Sequence, residues 1–582
     1  MTRKKEKPQR KKPAPPPPPE GYSAKTKSQQ IALDLIARST ITFVLGPAGT
    51  GKTHLASGYA VQRLLDGAVE NIVITRPSVA TEQLGHLPGS AEEKVGPYLI
   101  PFFDALERIA GKAGHNRDIV TKAVKIAPLA YLRGRSQPLD AKVLTPGGYR
   151  PMGEIAVGDE VIGSDGLPTK VEGVYPQGEL DVYKVTFSDG TITECSGDHL
   201  WLTATRRQRD CGEGRSARTT LEVMRTIKCG DGASNHSIPV VKPVCFANGG
   251  PLPVPPYTLG VFLGDGSLGS RGCVHFVSAD SMISDRVEGE LPLGMVLTSS
   301  SLPQCAAAQY RPVRPGGKRA KGANPVKEAL RELGLIGTRS SSKFIPSRYL
   351  LASVDDRIEL LRGLMDTDGT VYERSCGTPR ALFRTTSFAL AEGVQFVVQS
   401  LGGTATIRRH APPKPNRCNG RLVIGRLEQF TVDVRLSSVN PFYLSRKADR
   451  WRPHRVGRRI ASIDHAGRKD CQCIRVAASD SLYLTDHCIV THNTFHKSVM
   501  ILDEAQNCSF SQLKLFLTRI GQGSQVIVTG DADQSDLPRS ERRLVDVVSR
   551  LSAIPGVGVV RFGDADIVRH PIIGSVLREL EK

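Results

Sequence analysis

The chain has 582 residues and a formal net charge of +20 at neutral pH. This length exceeds what a single hydrophobic core supports and suggests roughly three or four domains. The charge favours an anionic partner such as nucleic acid, although a basic surface is often only solvated. No apolar run is long enough to span a bilayer, which excludes a membrane-spanning helix and a membrane partner.

Residues 1–21 form the first segment, which is basic and proline-rich and lacks an apolar stretch. Such a composition predicts a disordered tail rather than a secretory signal. We therefore expect a cytoplasmic protein.

A phosphate-binding loop is predicted at the start of the first folded segment. Residues 40–45 are a short apolar, β-branched run, GPAGTGKT follows, and a helical pattern comes next. Strand, loop and helix in this order make the GxxxxGK[ST] pattern specific. The glycines let main-chain N–H groups face the phosphates of ATP, Lys52 reaches the β- and γ-phosphates, and the Thr53 hydroxyl ligates Mg²⁺. The predicted nucleotide-binding residues are Gly46, Pro47, Ala48, Gly49, Thr50, Gly51, Lys52 and Thr53.

The acidic residues that this loop requires on a neighbouring strand come only late in the chain. The apolar run 499–502 leads into Asp503 and Glu504. Asp503 is predicted to coordinate Mg²⁺, and Glu504 to polarise the attacking water. A later strand at 525–529 leads to Asp531, which either senses the γ-phosphate or simply forms a turn.

Motifs in both end segments resemble the PhoH-like family of P-loop ATPases. KTKSQ, GPAGTGKT, ITRP and LGHLPG lie in the first segment, and ILDEAQN, VTGD and VRHP lie in the last, in the family's order. The resemblance covers residues 22–135 and 494–582 and implies an α/β P-loop core similar to that of superfamily 1 helicases. It also implies ATP and Mg²⁺ as cofactors, RNA or single-stranded nucleic acid as a partner, and a homo-oligomer as one option. By the same resemblance Gln29 contacts adenine, and Arg569 in VRHP either contacts phosphate or forms a surface ion pair.

Joining Arg135 directly to Thr494 restores an uninterrupted segment of that family, so residues 136–493 are predicted to be an insert. Both of its ends carry the groups that self-excision needs. The Ser136 hydroxyl would attack the Arg135 carbonyl to form an ester, and the Thr494 hydroxyl would then take over the acyl group. Asn493 would cyclise and release the insert, after which the freed Thr494 amine restores a peptide bond.

The flanks of the insert resemble inteins of the Hedgehog/intein (Hint) fold. Short alternating stretches at 136–249 and 441–493 predict an all-β splicing domain. In CSGDHLWLT, Ser196 and His199 correspond to the positions that assist the first acyl shift. His492 is the penultimate histidine, which would protonate the leaving nitrogen or polarise the Asn493 carbonyl. A further histidine that some inteins carry is replaced by Ser481, unless His487 substitutes.

Residues 250–440 contain two copies of a helix motif. YTLGVFLGDGS at 257–267 and LLRGLMDTDGT at 360–370 resemble the paired LAGLIDADG helices of homing endonucleases, which implies an inserted α+β domain that cuts double-stranded DNA. Helices packed through Gly260 and Gly363 would bring Asp265 and Asp368 together to hold Mg²⁺ and position water. Lys343 either stabilises the scissile phosphate or is an ordinary helix-face lysine.

The sequence thus predicts a multidomain precursor in which a P-loop ATPase is split by a splicing domain that contains an endonuclease. Because the insert separates Lys52 from Asp503 in the chain, we expect the uncut precursor to be a poor ATPase. The alternative is a nucleotide-gated nucleic-acid-binding switch with little turnover and an inactive endonuclease. A P-loop phosphotransferase is a third option, which the DEAQ and VTGD motifs disfavour.

Overall fold

The computed structural model describes residues 23–69, 71–77, 123–126, 136–247, 250–269, 274–302, 306–315, 323–373, 378–412, 416–418, 421–423, 425–492, 498–517, 520, 523–531, 534–535, 537 and 543–567. The chain divides into two compact units: an outer unit made from both ends of the chain, and an insert unit at Arg135–Asn493. The predicted tail at 1–21 lies outside the described residues. Within the described ranges, no helix has the length and apolar character needed to cross a membrane.

The outer unit is built on a six-stranded sheet in which every pair of neighbours is parallel. In sheet order, the strands are Val557–Arg561, Ile41–Leu45, Gln525–Gly530, Ser498–Leu502, Asn71–Thr75 and Val124–Ile126. The described helices are Lys27–Arg38, Lys52–Leu65, Phe510–Leu517 and Leu544–Leu551, with short 3-10 turns at Ala505–Asn507 and Asp564–Asp566.

Both faces of this sheet are buried, which explains why its strands are continuous apolar runs rather than alternating ones. Helices Lys27–Arg38 and Lys52–Leu65 cover one face, and Phe510–Leu517 and Leu544–Leu551 cover the other. The acidic residues were predicted to follow a strand that neighbours the P-loop strand Ile41–Leu45. That was wrong: Gln525–Gly530 lies between the two, and it carries a residue of the site on its own carboxyl end.

The β part of the insert unit is organised around two long antiparallel strands, Pro168–Phe187 and Arg458–Val476, whose register shifts mark bulges that bend the ribbon. One sheet contains, in order, Ser216–Thr219, Leu200–Thr203, Ile489–His492, Leu482–Thr485, Lys142–Thr145 and Gly148–Pro151. The other contains Ser237–Ile238, Arg458–Val476, Pro168–Phe187 and Glu160–Ile162, with Gln137–Pro138 and Ile192–Ser196 paired to the long strands. Short helical segments are Met152–Glu154, Arg206–Asp210, Thr220–Arg225 and Asp486–Cys488.

The α+β part of the insert unit repeats one pattern, in which a helix is followed by a four-stranded antiparallel sheet. Helix Pro256–Gly264 precedes a sheet ordered Gly266–Ser267, His275–Ser278, Ala308–Val313 and Val296–Ser301. Helix Val354–Asp368 precedes a sheet ordered Gly369–Tyr372, Arg380–Thr385, Gln429–Arg435 and Thr404–His410. The remaining elements are helices Ser281–Gly289, Pro325–Glu332, Ser347–Leu350, Phe388–Ser400 and Ser445–Ala448, and the hairpin Asn416–Cys418 with Arg421–Val423.

The core of this α+β part extends further along the chain than predicted. Phe442, Leu444 and Trp451 are buried in the same apolar cluster as both motif helices. The predicted boundary between 440 and 441 therefore cuts through the domain and is wrong. The error arose because the last helix of this domain, Ser445–Ala448, is too short to give a periodic signal in the sequence.

Candidate functional site

The phosphate-binding loop of the outer unit has the backbone that its glycines allow. Gly49 and Gly51 have φ values of 88° and 82°, in the left-handed region that glycine tolerates best. At Gly46, a Cβ would lie 2.7 Å from the Cβ of Phe562, so a larger residue would displace the neighbouring strand end. Three of the predicted loop residues are therefore glycines for steric reasons.

Lys52 lies at the start of the helix Lys52–Leu65 and folds back over this loop. Its amine donates to the main-chain oxygens of Gly46 at 2.6 Å and Pro47 at 2.8 Å. Burial lowers the pKa of Lys52, while the carboxylates of Asp531, Glu504 and Asp503 act in the opposite direction. The positive charge therefore faces three acids that the sequence places hundreds of residues away.

Asp503 is bound by two threonine hydroxyls from different elements. Thr53 Oγ1 donates to Asp503 Oδ1 at 3.0 Å, and Thr529 Oγ1 donates to the same oxygen at 2.5 Å. Hydroxyl and carboxylate oxygens are the hard ligands that Mg²⁺ prefers, so this donor set fits the metal that the loop implies. The two halves of the site therefore meet in the unspliced chain. The expectation that the uncut precursor is a poor ATPase stays a prediction.

Gln29 is buried beside the loop and braces it. Its side-chain nitrogen donates to the Thr50 main-chain oxygen at 3.0 Å, and its oxygen accepts from the Lys25 N–H at 2.7 Å. The helix that carries it begins at Thr26, whose hydroxyl caps the Gln29 N–H at 3.2 Å. Contact between Gln29 and adenine remains a prediction, and Arg569 lies outside the described residues.

In the insert unit, Ser136 is fully buried and lies against Ser196. The Ser136 N–H donates to Ser196 Oγ at 3.2 Å, and the Ser196 N–H donates to the Ser136 carbonyl at 2.9 Å. Among the described residues, the Ser136 hydroxyl has no hydrogen-bond partner. Burying a hydroxyl without a hydrogen bond costs folding free energy, so such groups are rare and call for an explanation. A role of the Ser136 hydroxyl as a reacting group would provide one.

The two histidines converge on the same edge of the sheet. His199 is fully buried, its Nε2 is hydrogen-bonded to Thr491 Oγ1, and its ring packs edge-to-face on Trp201. The neighbouring residue Leu200 is the register partner of His492, which is itself buried. Asn493 and Thr494 lie outside the described residues, but the strand that leads into them ends at His492.

Ser481 and His487 occupy different positions relative to this edge. Ser481 lies in a turn and immediately precedes Leu482, the second register partner of His492. His487 lies in the 3-10 turn Asp486–Cys488. Burial lowers the pKa of His487, and the nearby charge of Asp486 only partly offsets this effect. Strand register therefore aligns Ser481, rather than His487, with the end of the insert.

In the α+β part, the two motif helices touch through their glycines. A Cβ at Gly260 would lie 2.5 Å from the Leu360 carbonyl oxygen, and one at Gly363 would lie 2.2 Å from that of Tyr257. Any side chain at either position would force the helices apart. Asp265 and Asp368 follow at the carboxyl ends of the two helices, where their charges interact.

Burial is the main cause of the altered acidity of these carboxyls. It raises the pKa of Asp265, and together with the charge of Asp265 it raises the pKa of Asp368 to about 6. Lys343 acts against both shifts, and burial lowers its own pKa to about 8. In the part of the chain that the structure describes, no three His, Cys, Asp or Glu side chains are grouped as a metal centre. A cation at this pair would complete its shell with water or phosphate oxygens.

Lys343 is not a helix-face lysine, so that alternative was wrong. It lies outside the helices and donates to the carbonyls of Phe262, Gly264 and Gly266 at 3.1, 2.8 and 2.8 Å, at the end of the first motif helix. Lys447 repeats this arrangement on the second helix, donating to Met365, Asp366 and Gly369 at 3.0, 2.6 and 2.6 Å. Burial lowers the pKa of Lys447 to about 8 as well.

Comparison with known proteins assigns the outer unit. A family model described as PhoH-like protein matches residues 22–143 and 475–581. The PhoH-like protein of Bacillus subtilis (strain 168) is 46% identical over 114 residues, covering 19% of this chain and 35% of that protein.

The insert has relatives of its own. A family model described as LAGLIDADG-like domain matches residues 355–431. The replicative DNA helicase DnaB of Mycobacterium intracellulare is 30% identical over 412 residues, covering 65% of this chain and 61% of that protein. Among solved structures, the Msm DnaB1 intein splicing domain bound with zinc is 30% identical, covers 18% of this chain and 67% of that one, and has a TM-score of 0.14.

These matches support a PhoH-like protein whose two parts flank an insert with a LAGLIDADG-like domain, the organisation that the sequence predicts for a chain interrupted by an intein. The chain spans 61% of the DnaB relative and 35% of the Bacillus subtilis PhoH-like protein.

Four residues contribute to these sites but were not predicted from the sequence. In the PhoH-like unit they are Thr529, which binds Asp503, and Arg76, which forms an ion pair with Glu504 at 3.2 Å. In the intein they are Lys447 and Cys473. The register of Gln472 with Gln137 places the buried Cys473 one step further, level with Ser136. Symmetry between the two motif repeats could have indicated Lys447, whereas the others depend on strand order and register.

Proposed function

We propose that the chain is the precursor of an ATP-hydrolysing PhoH-like protein that acts on nucleic acid, with RNA as the expected partner. We further propose that its intein excises itself and carries a DNA endonuclease. The observation that carries the first part is the contact between Thr53 and Asp503, which unites the phosphate-binding loop with an acidic strand end. The high positive charge of the chain supports the nucleic-acid partner.

In the nucleotide site, each residue has a separate task. The glycine loop presents main-chain N–H groups to phosphate, and Lys52 supplies a positive charge at the γ end. Thr53 and Asp503 would hold Mg²⁺, which neutralises phosphate charge when bound. Glu504 orients the attacking water and accepts its proton, and Asp531 responds to the state of the γ-phosphate.

In the splicing site, Ser136 Oγ attacks the Arg135 carbonyl carbon and displaces its own amide nitrogen, which forms an ester. His199, whose N–H donates to the carbonyl of Ser196, the residue hydrogen-bonded to Ser136, would move the proton from oxygen to nitrogen. The Thr494 hydroxyl then attacks the ester and releases Ser136 Oγ, and Asn493 cyclises with the assistance of His492. The buried, unpartnered Ser136 hydroxyl supports the first step.

Cys473 is a second candidate for the first nucleophile, because its register places a buried cysteine level with Ser136. Thiols are intrinsically better nucleophiles than hydroxyls. In that variant of the reaction, Sγ attacks the Arg135 carbonyl, the Ser136 amine leaves, and Thr494 resolves a thioester instead of an ester.

In the LAGLIDADG-like domain, Asp265 and Asp368 would hold Mg²⁺ at the helix ends and position a water for attack on a DNA phosphodiester. Lys343 and Lys447 place two buried amines close to this pair, where they counter the charge that develops on the phosphate.

Intact-mass analysis of the expressed chain tests the splicing proposal directly. The expected product lacks residues 136–493, and an undiminished mass under all conditions rejects self-excision. For the host, ATP turnover with and without RNA is compared with that of Glu504→Gln. Equal rates would favour the alternative function, a nucleotide-gated binding switch.

A further inference from the structure

The carboxylate of Glu504 is held from two sides. Glu504 directly follows the buried strand Ser498–Leu502 and Asp503, and it has φ 54° and ψ 43°. A residue with a Cβ adopts this left-handed conformation only where its surroundings hold it there, and such residues are concentrated at functional sites. One carboxylate oxygen pairs with Arg76 at 3.2 Å, and the other accepts a hydrogen bond from Gln506 Nε2 at 2.6 Å.

Gln506 connects this carboxylate with the loop after the neighbouring strand. Its Oε1 accepts the Asp531 N–H at 3.0 Å, and its main-chain oxygen accepts the Ser535 hydroxyl at 2.9 Å. A Cβ at Gly530 would lie 3.0 Å from Gln506 Oε1, so the space beside the amide is filled. Because its nitrogen faces Glu504 and its oxygen faces Asp531, the amide cannot flip without breaking both bonds.

We propose that Gln506 is a positioning residue that couples the aim of the Glu504 carboxylate to the Asp531 loop, with Arg76 restraining the opposite carboxylate oxygen. This inference deepens the proposed ATP hydrolysis and rests on it. Any displacement of the Asp531 N–H moves the amide of Gln506, and the amide moves Glu504. The general base is therefore aligned only when the loop that faces Lys52 is in its correct position.

Turnover measurements on the expressed protein, with residues 136–493 excised, test the coupling. Gln506→Met removes both hydrogen bonds at similar volume, and we expect ATP turnover to fall about tenfold or more, while affinity for a fluorescent ADP analogue changes less than about threefold. Arg76→Met should lower turnover too, and the double variant should lose less than the sum of both effects, since both residues act through Glu504. Gln30→Met is the matched control, at an exposed glutamine whose side-chain amide donates to Asp34.

Hydrogen exchange supplies a readout that does not depend on turnover. Exchange at the Asp531 amide should accelerate about tenfold in Gln506→Met, but not in Gln506→Glu, which keeps an acceptor for that amide and loses the donor to Glu504. Unchanged exchange in Gln506→Met, or additive turnover losses with Arg76→Met, would overturn the coupling. If the unaltered chain shows no hydrolysis while Gln506→Met still deprotects Asp531, the hydrolytic function fails and the link between the two residues stands.

Discussion

Thr53 and Asp503 are separated by 450 positions in the sequence, yet the hydroxyl of one donates to the carboxylate of the other at 3.0 Å. The contact exists with the intein still in place. The insert immediately precedes the central strand Ser498–Leu502, and the parallel sheet of the outer unit nevertheless forms while the insert is present.

The first prediction is that the uncut chain binds nucleotide. Asn493→Ala should prevent release of the insert, and this variant should bind an ATP analogue within about threefold of the affinity of the ligated product, because the loop, Lys52 and Asp503 already meet. Equilibrium binding of a fluorescent analogue measures this. Complete loss of affinity in the uncut form would contradict this prediction and agree with the expectation that the uncut precursor is a poor ATPase.

The second prediction concerns Thr529. Thr529→Val keeps the shape of the side chain but removes a hydrogen bond to Asp503, so we expect the Mg²⁺ concentration for half-maximal turnover to rise several-fold, in line with a loss of roughly 1 kcal/mol. Thr42→Val is a matched control on the same sheet. The Thr42 hydroxyl is buried and has no partner among the described residues, so its removal should be neutral or stabilising.

The third prediction separates the two candidate nucleophiles of the intein. Ser136→Ala should abolish the ligated product if the Ser136 hydroxyl is the first acyl acceptor, whereas Cys473→Ala should then splice normally. Mass spectrometry of both variants identifies the reacting group, with Ser462→Ala as a control at a half-buried serine whose hydroxyl donates to Asp464. Normal splicing of Ser136→Ala together with a block in Cys473→Ala would transfer the first step to the thiol.

The fourth prediction compares two neighbouring acids. Asp368→Asn should abolish DNA cleavage and raise the melting temperature by a few degrees at pH 7, because the charged form of this buried carboxyl is disfavoured. Burial also raises the pKa of Asp366, but its carboxylate accepts hydrogen bonds from the Tyr257 hydroxyl and from the Tyr443 and Leu444 N–H groups. Asp366→Asn should therefore lower the melting temperature, because an amide cannot accept all of these bonds. Equal effects of the two substitutions would contradict this assignment.

The sign of the pH dependence follows from the raised pKa of Asp368. A carboxyl with a folded pKa of about 6 binds its proton more tightly in the folded state than in the unfolded state. Its contribution to stability is therefore present below about pH 4 and is lost as the pH rises to about 6. The difference in melting temperature between the unaltered chain and Asp368→Asn should accordingly vanish below about pH 4, as calorimetry across this range will show.

Local patterns in the sequence predicted the elements that carry their own signal. The strand and loop around Lys52 and the apolar helices before Asp265 and Asp368 each combine composition, spacing and flanking turns. The contacts between distant elements had no such signal. Thr529 reaches Asp503 only because its strand inserts between two others, and Cys473 faces the junction only because of the register of a bulged ribbon.

Domain limits failed for a related reason. The segment around Lys447 is short, polar and weakly periodic, so it looked like a linker to the second β segment, although Leu444 and Trp451 complete the core of the α+β domain. Lys447 is recognised only by comparing the two motif helices in the structure. Each helix ends at carbonyls that accept hydrogen bonds from a buried lysine amine, Lys343 for the first helix and Lys447 for the second.

The parallel sheet of the host also sets the order in which the polypeptide can mature. Strand Ile41–Leu45 leaves the ribosome early, but both of its sheet neighbours, Gln525–Gly530 and Val557–Arg561, are synthesised after the entire intein. Until then its main-chain donors and acceptors have no lasting partners, a situation that slows folding and invites aggregation. The folding of the nascent precursor should consequently depend on chaperones far more than the folding of the same host protein without the insertion.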